Sequence, residues 1–469
     1  MDEQKRIEEV PDWVQDAVFY QIFPERFANG DLSNDPPNIE KWGTVPKSGS
    51  FFGGDIQGII DHIDHLKRLG ISAIYLNPIF EATTNHKYNA TDYLTIDPSF
   101  GTQELFEHFI SICRKNKIRV ILDGVFNHVG VNHFAFRDVV KNGAESKYAS
   151  WFNIYSFPVK SPRIPNYECW WGYGSLPKLM VQNPEVKEYL FGVVAKWTPF
   201  IDGWRLDVAN EIPHEFWKEF RTTVKAINPE CYIVAEIWND ASKWCAGDEF
   251  DATMNYLFRA ACIDYFVSDA VTSQKFLDSI DAVRALYSPE HNFAMLNLLG
   301  SHDTERYFTL CHRSRWRMEL SVLFQMTYLG APMIYYGDEI GMEGGKDPDC
   351  RRTMIWNEKK WDKELFQFYT KLIGIRNRSA ALRRGEFVRI VPPENVDIIA
   401  FVRRYKTSFA YVCINKNHSK KTVRLQVDDR ITELSDAFTA ETCRVVDKNI
   451  IQIEIPSRSG KIFLGSIKG

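Results

Sequence analysis

Short apolar runs alternate with amphipathic stretches through about the first 340 residues, and this alternation constrains the fold more than any other feature. The runs at Ala17–Phe23, Ser72–Leu76, Ile118–Asp123, Ile201–Asp207, Tyr232–Glu236, Ala252–Asn255, Ala294–Gly300 and Met333–Gly337 have the length of buried strands. Helical spacing fills most intervals, for example Ile59–Leu69, Glu104–Lys115, Pro184–Lys196 and Glu215–Ile227. A buried strand followed by a helix, repeated, makes parallel β/α units. Eight such strands in this span predict an α/β fold, a (β/α)8 barrel with insertions, in preference to an open doubly wound sheet. No Gly-rich phosphate loop follows a strand, and Gly53-Gly54-Asp55 lacks the rest of a nucleotide fingerprint.

Two departures from the alternation divide the chain further. About 60 residues rich in aromatics, Gly and Pro separate Asp123 from the helix near Pro184, too many for a structureless loop. They predict a small inserted domain beside the barrel mouth. Beyond Leu382 the period changes to two, at Ile398–Arg403, Phe409–Ile414, Thr422–Val427, Ile450–Ile455 and Lys461–Leu464, which predicts a C-terminal antiparallel β-sandwich. The expected division is barrel domain A at 1–123 and 183–382, domain B at 124–182 and domain C at 383–469.

Charge narrows the function. Lys and Arg total 57 against 61 Asp and Glu, a formal net charge of -4, which argues against a nucleic-acid or membrane-surface partner. Aromatics reach 14%; composition alone favours a large core over a cleft whose flat rings stack on sugars. The nine cysteines (113, 169, 231, 245, 262, 311, 350, 413 and 443) are scattered and contain no C-x-x-C pair. That pattern fits free thiols in a reducing compartment. The first residues, MDEQKRIEEVPDW, contain no apolar leader, and no apolar run reaches the roughly 18 residues of a membrane span. A cytoplasmic location is the expectation.

Barrel enzymes carry their chemistry at the C-terminal ends of the strands. Here the third strand ends in Asp123 with Asn127-His128 beyond, the fourth in Gly203-Trp204-Arg205-Leu206-Asp207, and the fifth in Ala235-Glu236. The seventh runs into Ser301-His302-Asp303. One acidic strand end is more often a helix cap or a loop salt bridge than a catalytic group; several around one mouth point to a pocket. Crowded carboxylates push their pKa values apart, so that one stays protonated as an acid while another ionises as a nucleophile. Two such groups flanking a glycosidic bond are what sugar hydrolysis requires.

These segments resemble the α-amylase family of glycoside hydrolases. The resemblance rests on Asp123-Gly124-Val125-Phe126-Asn127-His128, Gly203 through Glu211 (GWRLDVANE), Glu236-Ile237-Trp238, Leu299-Gly300-Ser301-His302-Asp303 and Gly330 through Glu339 (GAPMIYYGDE). Trp170-Trp171-Gly172, Leu176-Pro177-Lys178-Leu179 and Val208-Ala209-Asn210-Glu211 are similar to the neopullulanase, cyclomaltodextrinase and maltogenic amylase branch. The resemblance implies a retaining hydrolase of α-1,4-glucosidic bonds in maltodextrins and cyclomaltodextrins, with transglycosylation as an accompanying reaction. It implies Asp207 as nucleophile, Glu236 as acid and base, and Asp303 as the carboxylate gripping the distorted sugar. His86, Tyr88, His128, Arg205, His302, Asp347 and Arg351 would bind substrate or set charge around it.

Asn29-Gly30-Asp31, Asn34-Asp35 and Gly53-Gly54-Asp55 bring hard oxygen donors together on a Gly-rich loop. As a pattern this reads as a plain turn before it reads as a calcium loop; the resemblance implies a structural Ca2+ held by Asn29, Asp31, Asn34, Asp35, Gly53 and Asp55, and no organic cofactor. About ten residues precede Pro11, so the N-terminal β-domain usual in that branch is expected to be lacking, and a monomer, or a dimer made without that domain, is expected. Asn239 and Met180 stand where the branch commonly has His and Asn. The expected partners are α-glucan oligosaccharides. Alternatives are a general α-amylase, an α-glucan transferase and, remotely, a non-catalytic family member of the transporter heavy-chain kind. An oligo-1,6-glucosidase fits Val208-Ala209-Asn210-Glu211 and Gly300-Ser301-His302 less well.

Overall fold

The computed structural model describes residues 10–392, 397–431, 433–444 and 449–467. Residues 1–9, which bear on the expectation of no leader, lie outside the described residues. So do short stretches of the expected C-terminal domain.

Eight parallel strands make the central sheet: β1 (Phe19–Ile22), β2 (Ala73–Leu76), β3 (Arg119–Gly124), β4 (Gly203–Leu206), β5 (Tyr232–Ala235), β6 (Ala252–Thr253), β7 (Leu296–Leu298) and β8 (Ala331–Tyr335). Their order is β6-β5-β4-β3-β2-β1-β8-β7. A parallel bridge between Met254 and Leu296 joins the two edges. The sheet is therefore a closed (β/α)8 cylinder, which leaves no unpaired strand edge. Strands β1, β2, β4, β5, β7 and β8 are buried at every residue, as expected of parallel strands covered on both faces.

The helices follow their capping chemistry. Thr102 caps Gln103–Lys115 by accepting from Leu105 N–H, and Asn183 caps Pro184–Trp197 with proline at the first helical position. The expected single helix Ile59–Leu69 is instead two, Ile56–Asp61 and Ile63–Leu69. The break falls at His62, whose Nδ1 meets the carbonyl of Gly58 at 2.9 Å. Apolar periodicity continues across such a break, so the sequence pattern did not register it. A further difference is the antiparallel hairpin Phe80–Ala82 with Ala90–Ile96 after β2, which carries His86 and Tyr88 on its connecting segment.

Between β3 and Pro184 the chain forms the helix Phe134–Asn142 and several single-turn segments. It is tied by antiparallel bridges Ile154↔Tyr167, Cys169↔Pro177 and His128↔Lys178. The last bridge pins this segment to the barrel mouth. Beyond the barrel, β9 (Glu386–Arg389), β10 (Ile399–Tyr405), β11 (Ser408–Asn415), β12 (Lys421–Gln426), β13 (Glu433–Asp436), β14 (Thr442–Arg444), β15 (Ile450–Ile455) and β16 (Ser459–Ser466) follow. They form an antiparallel six-stranded sheet, β9-β10-β11-β16-β13-β14, and the pair β12-β15. Val423, Leu425, Ile451 and Ile453 of the pair pack in one cluster with Ala400, Val402, Tyr411, Cys413 and Phe463, making a sandwich. Strands β9, β13 and β14 are additions to the expected set, being short and too irregular in alternation to stand out.

All nine cysteines are free. Among the described residues, no helix is long and apolar enough to cross a membrane.

Candidate active site

The barrel register delivers acidic side chains to one mouth. Asp123 pairs with Arg205 across β3 and β4, and the ladder continues past the strand ends. Asp207 N–H donates to the carbonyl of Gly124 (3.0 Å) and Glu236 N–H to that of Leu206 (2.9 Å). Both carboxylates are thus set by the sheet itself rather than by a free loop.

One buried guanidinium organises them. Arg205 Nη1 lies 2.7 Å from Asp123 Oδ1 and 2.9 Å from Asp207 Oδ1, and Nη2 lies 2.9 Å from Glu236 Oε2. Three carboxyl groups thus gather around one cation. Burial pushes the Asp207 carboxyl well above its ordinary value; Arg205 opposes this, and Glu236, Asp123 and Asp303 reinforce it. Burial likewise raises Asp123 against the pull of Arg205. The Arg205 guanidinium is held charged by Asp123 and Glu236 in spite of its own burial.

Val208, next after Asp207, sits at φ 39°, ψ 46°, a left-handed conformation that is strained for a β-branched residue. Its N–H donates to Glu236 Oε2 at 3.1 Å, so the strain aims a backbone donor at the second carboxylate. The other oxygen, Oε1, accepts from Trp238 Nε1 at 3.1 Å. Trp238 stacks on Tyr256 with ring centroids 3.9 Å apart.

One oxygen of Asp303 lies 3.1 Å from His302 Nε2, and the other accepts from Arg351 Nη2 (3.1 Å). Arg351 also reaches Asp347 at 3.1 Å, so the expected pair Asp347 and Arg351 joins the same cluster. Tyr88 Oη donates to Asp123 Oδ2 (2.8 Å) and meets His302 Nε2 at 2.7 Å. His86 Nδ1 accepts from Tyr88 N–H at 3.1 Å, and burial followed by the charge of Arg351 pushes its pKa down to about 3. Burial also brings His128 to about 3. Its Nε2 is buried without a partner, a polar atom open to a ligand group. All ten expected catalytic and substrate-binding residues therefore surround one mouth.

Sequence reasoning missed a supporting layer. Gln21 at the end of β1 gives its amide N–H groups to Asn77 Oδ1 (3.0 Å) and to His302 Nδ1 (2.8 Å). Asn77, after β2, donates to Tyr88 Oη (2.9 Å), and Tyr75 Oη donates to Asp123 Oδ2 (2.6 Å). A donor at Nδ1 leaves the His302 proton on Nε2, facing Tyr88 and Asp303. The signal was available, because Gln21 and Asn77 are polar residues at barrel strand ends.

The expected calcium residues lie together on the two loop segments that precede the helix Ile56–Asp61. Asn29 Nδ2 donates to Asp35 Oδ1 at 2.7 Å, and the Oδ1 atoms of Asn29 and Asn34 are buried without partners. Gly53 has φ 78°, and a Cβ there would lie 2.1 Å from Asp35 Oδ1, so only glycine brings its backbone so close. Asp55 is used differently. Its oxygens accept from Gly30, Asp31 and Gly58 N–H and from Asn34 Nδ2, which caps the helix and closes the loop. The Asp31 carboxylate turns to its own Ser33 (2.9 Å to N). Among the described residues no cluster of three or more His, Cys, Asp or Glu is arranged to hold a metal; this loop offers mainly amide and backbone oxygens.

Acid groups gathered on one arginine at the C-terminal mouth of a (β/α)8 cylinder define the class of barrel glycosidases. The catalytic-domain family described as "Alpha amylase, catalytic domain" matches residues 21–362, and the chain belongs to it. It is 51% identical to the cyclomaltodextrinase of Thermoanaerobacter pseudethanolicus, over 88% of this chain and 72% of that protein. It is 49% identical to neopullulanase 2 of Thermoactinomyces vulgaris, over 89% and 72%. Among solved structures, the cyclic α-maltosyl-(1→6)-maltose hydrolase of Arthrobacter globiformis superposes with a TM-score of 0.90 at 41% identity. That match covers 97% of this chain and all of the other.

Proposed function

We propose that this glycosidase hydrolyses α-1,4-glucosidic bonds of maltodextrins and cyclic α-glucans with retention of configuration. The observation that carries the reading is Arg205 touching both Asp207 and Glu236. Sharing one guanidinium favours the short carboxylate separation of retaining enzymes, about 5–5.5 Å, over the wider gap that admits a water. The names of the relatives, cyclomaltodextrinase, neopullulanase 2 and cyclic α-maltosyl-(1→6)-maltose hydrolase, agree with this substrate class. The relative called intracellular maltogenic amylase, from Bacillus subtilis, accords with a cytoplasmic location.

In this mechanism Asp207 attacks the anomeric carbon while Glu236 gives its proton to the glycosidic oxygen. The bond from carbon to that oxygen breaks, the leaving sugar departs with the proton, and a glycosyl ester forms on Asp207. Glu236, now ionised, takes a proton from water; the oxygen attacks the same carbon and frees Asp207. Asp303, fixed by His302 and Arg351, grips the ring hydroxyls as positive charge develops. Neutral His86 and His128 serve as uncharged hydrogen-bonding partners.

Initial rates on β-cyclodextrin, soluble starch and pullulan, with the anomer of the first product read by NMR, test this reading. Ring opening faster than attack on starch, with an α-anomer released, is expected. Faster attack on starch would make the chain a general α-amylase, and a β-anomer would refute retention.

We infer further that the loop spanning residues 29–55 takes a structural calcium ion, with Asn29, Asn34, Asp35 and the Gly53 carbonyl as the available oxygens. The unpartnered amide oxygens of Asn29 and Asn34 support this, since oxygen donors without hydrogen-bond partners suit a hard cation. Bound calcium would stabilise the fold by about 2.7 kcal/mol at a hundredfold excess over Kd. Chelator is expected to lower Tm and added Ca2+ to restore it, with one ion per chain by elemental analysis. An unchanged Tm and no bound calcium would refute the site.

A further inference from the structure

We propose that Trp171 is an outer sugar platform that makes this enzyme select longer α-glucan chains, with Glu211 as the residue that holds it in position. The proposal rests on the α-glucan reading above.

Trp171 is one of the most exposed large apolar residues in the structure, at 75%. An exposed tryptophan is normally mobile and needs no explanation; this one is restrained on three sides. Its backbone is left-handed, at φ 47°, ψ 28°, which a bulky residue adopts only when its surroundings enforce it. Its indole Nε1 donates to Glu211 Oε1 at 2.8 Å, and Trp170 Nε1 donates to the same oxygen at 3.1 Å. Its ring lies over Trp170 with centroids 4.9 Å apart and planes 15° from parallel.

The stack leads to the reacting centre. Trp170 lies over His128 at 5.5 Å, with planes 26° apart, and His128 carries the unpartnered Nε2. Tyr173 flanks Trp170 at 5.9 Å. Glu211 lies four residues beyond Asp207 on the same short loop and is also approached by Lys178 Nζ at 3.5 Å. The nucleophile's loop and the inserted segment are thus clamped together through two indole N–H groups. What the clamp leaves open is the outer face of Trp171. A flat, rigid apolar face beside a sugar pocket recognises the C–H face of a pyranose. A glucosyl unit beyond those at the reacting bond is the ligand this face would take.

The test compares kcat/KM for maltohexaose and maltotriose in the wild type, Trp171→Ala, Trp171→Phe, Glu211→Ala and Glu211→Gln. The hexaose-to-triose ratio is expected to fall about tenfold in Trp171→Ala, by the loss of one aromatic stacking contact. Phe at 171 should keep most of the ratio. Glu211→Ala should lower it as well, and Glu211→Gln, which retains an oxygen acceptor for the indoles, should restore it. Trp171→Phe should also lose part of the fluorescence change that maltohexaose produces in an Asp207→Asn background. An unchanged ratio in Trp171→Ala would overturn the proposal, as would equal losses on both substrates. So would a concentration-dependent dimer abolished by Trp171→Ala without any change in ratio, since the face would then belong to a second copy. If the wild type cleaves neither oligosaccharide, the α-glucan reading itself has failed, an outcome distinct from all of these.

Discussion

Asp207→Asn is expected to lower kcat by about 10^4-fold or more, the scale on which removal of a covalent nucleophile acts, while the protein stays folded with an unchanged or higher Tm. The stability half follows from charge. Burial, with Glu236, Asp123 and Asp303 nearby, raises the Asp207 carboxyl in the folded state above its value of 3.8 in a free chain. A raised carboxyl contributes stability that is present below the unfolded pKa and lost as pH rises through the folded one. At neutral pH the wild type therefore carries a cost that asparagine does not. The Tm difference between variant and wild type should grow as pH rises from about 4 towards neutrality. Activity within tenfold of wild type would remove Asp207 from the nucleophile role. A variant that fails to fold would refute the electrostatic account.

Arg205→Met carries the second large effect. It leaves Asp123, Asp207 and Glu236 buried with no counter-charge. Breaking a buried ion pair on one side costs about 3–5 kcal/mol, to be read from urea unfolding at neutral pH. Because Arg205 lowers both Asp123 and Asp207, its loss raises them further. The acid limb of kcat/KM, which reports ionisation of the nucleophile in the free enzyme, should therefore move to higher pH. Arg205→Lys keeps a charge on a single nitrogen and cannot span three carboxylates, so it should recover stability better than activity. Unaltered stability together with an unshifted acid limb would show that Arg205 does not set the charge of the site.

Much of the site was legible because barrel geometry converts position along a strand into position in space. An acid at the end of a buried run in a (β/α)8 chain faces the mouth whatever its neighbours are, so Asp123, Asp207, Glu236 and Asp303 could be read without coordinates. The aromatic excess was less informative. The stack of Trp170 and Trp171 on His128 and the pairing of Trp238 with Tyr256 join residues far apart in the chain, and no periodicity records such contacts. Asp55 shows the same limit from the other side. Its place among Asn, Asp and Gly marks a ligand-like loop, and its oxygens turn out to be occupied by four N–H donors.

Local chemistry determined the alternation of strands and helices, their caps, the change of period beyond Leu382 and the identity of the acidic strand ends. These depend on spacing within a few residues, where side-chain burial and backbone geometry are correlated. Tertiary structure alone decided how the cylinder closes at Met254 and Leu296, which carboxylates share Arg205, and why Gln21 orients His302 across 281 residues of sequence. It also decided that Val208 and Trp171 are held in left-handed conformations. Such features arise from contacts between elements that only the closed barrel brings together, and its packing supplies the energy that enforces the strain.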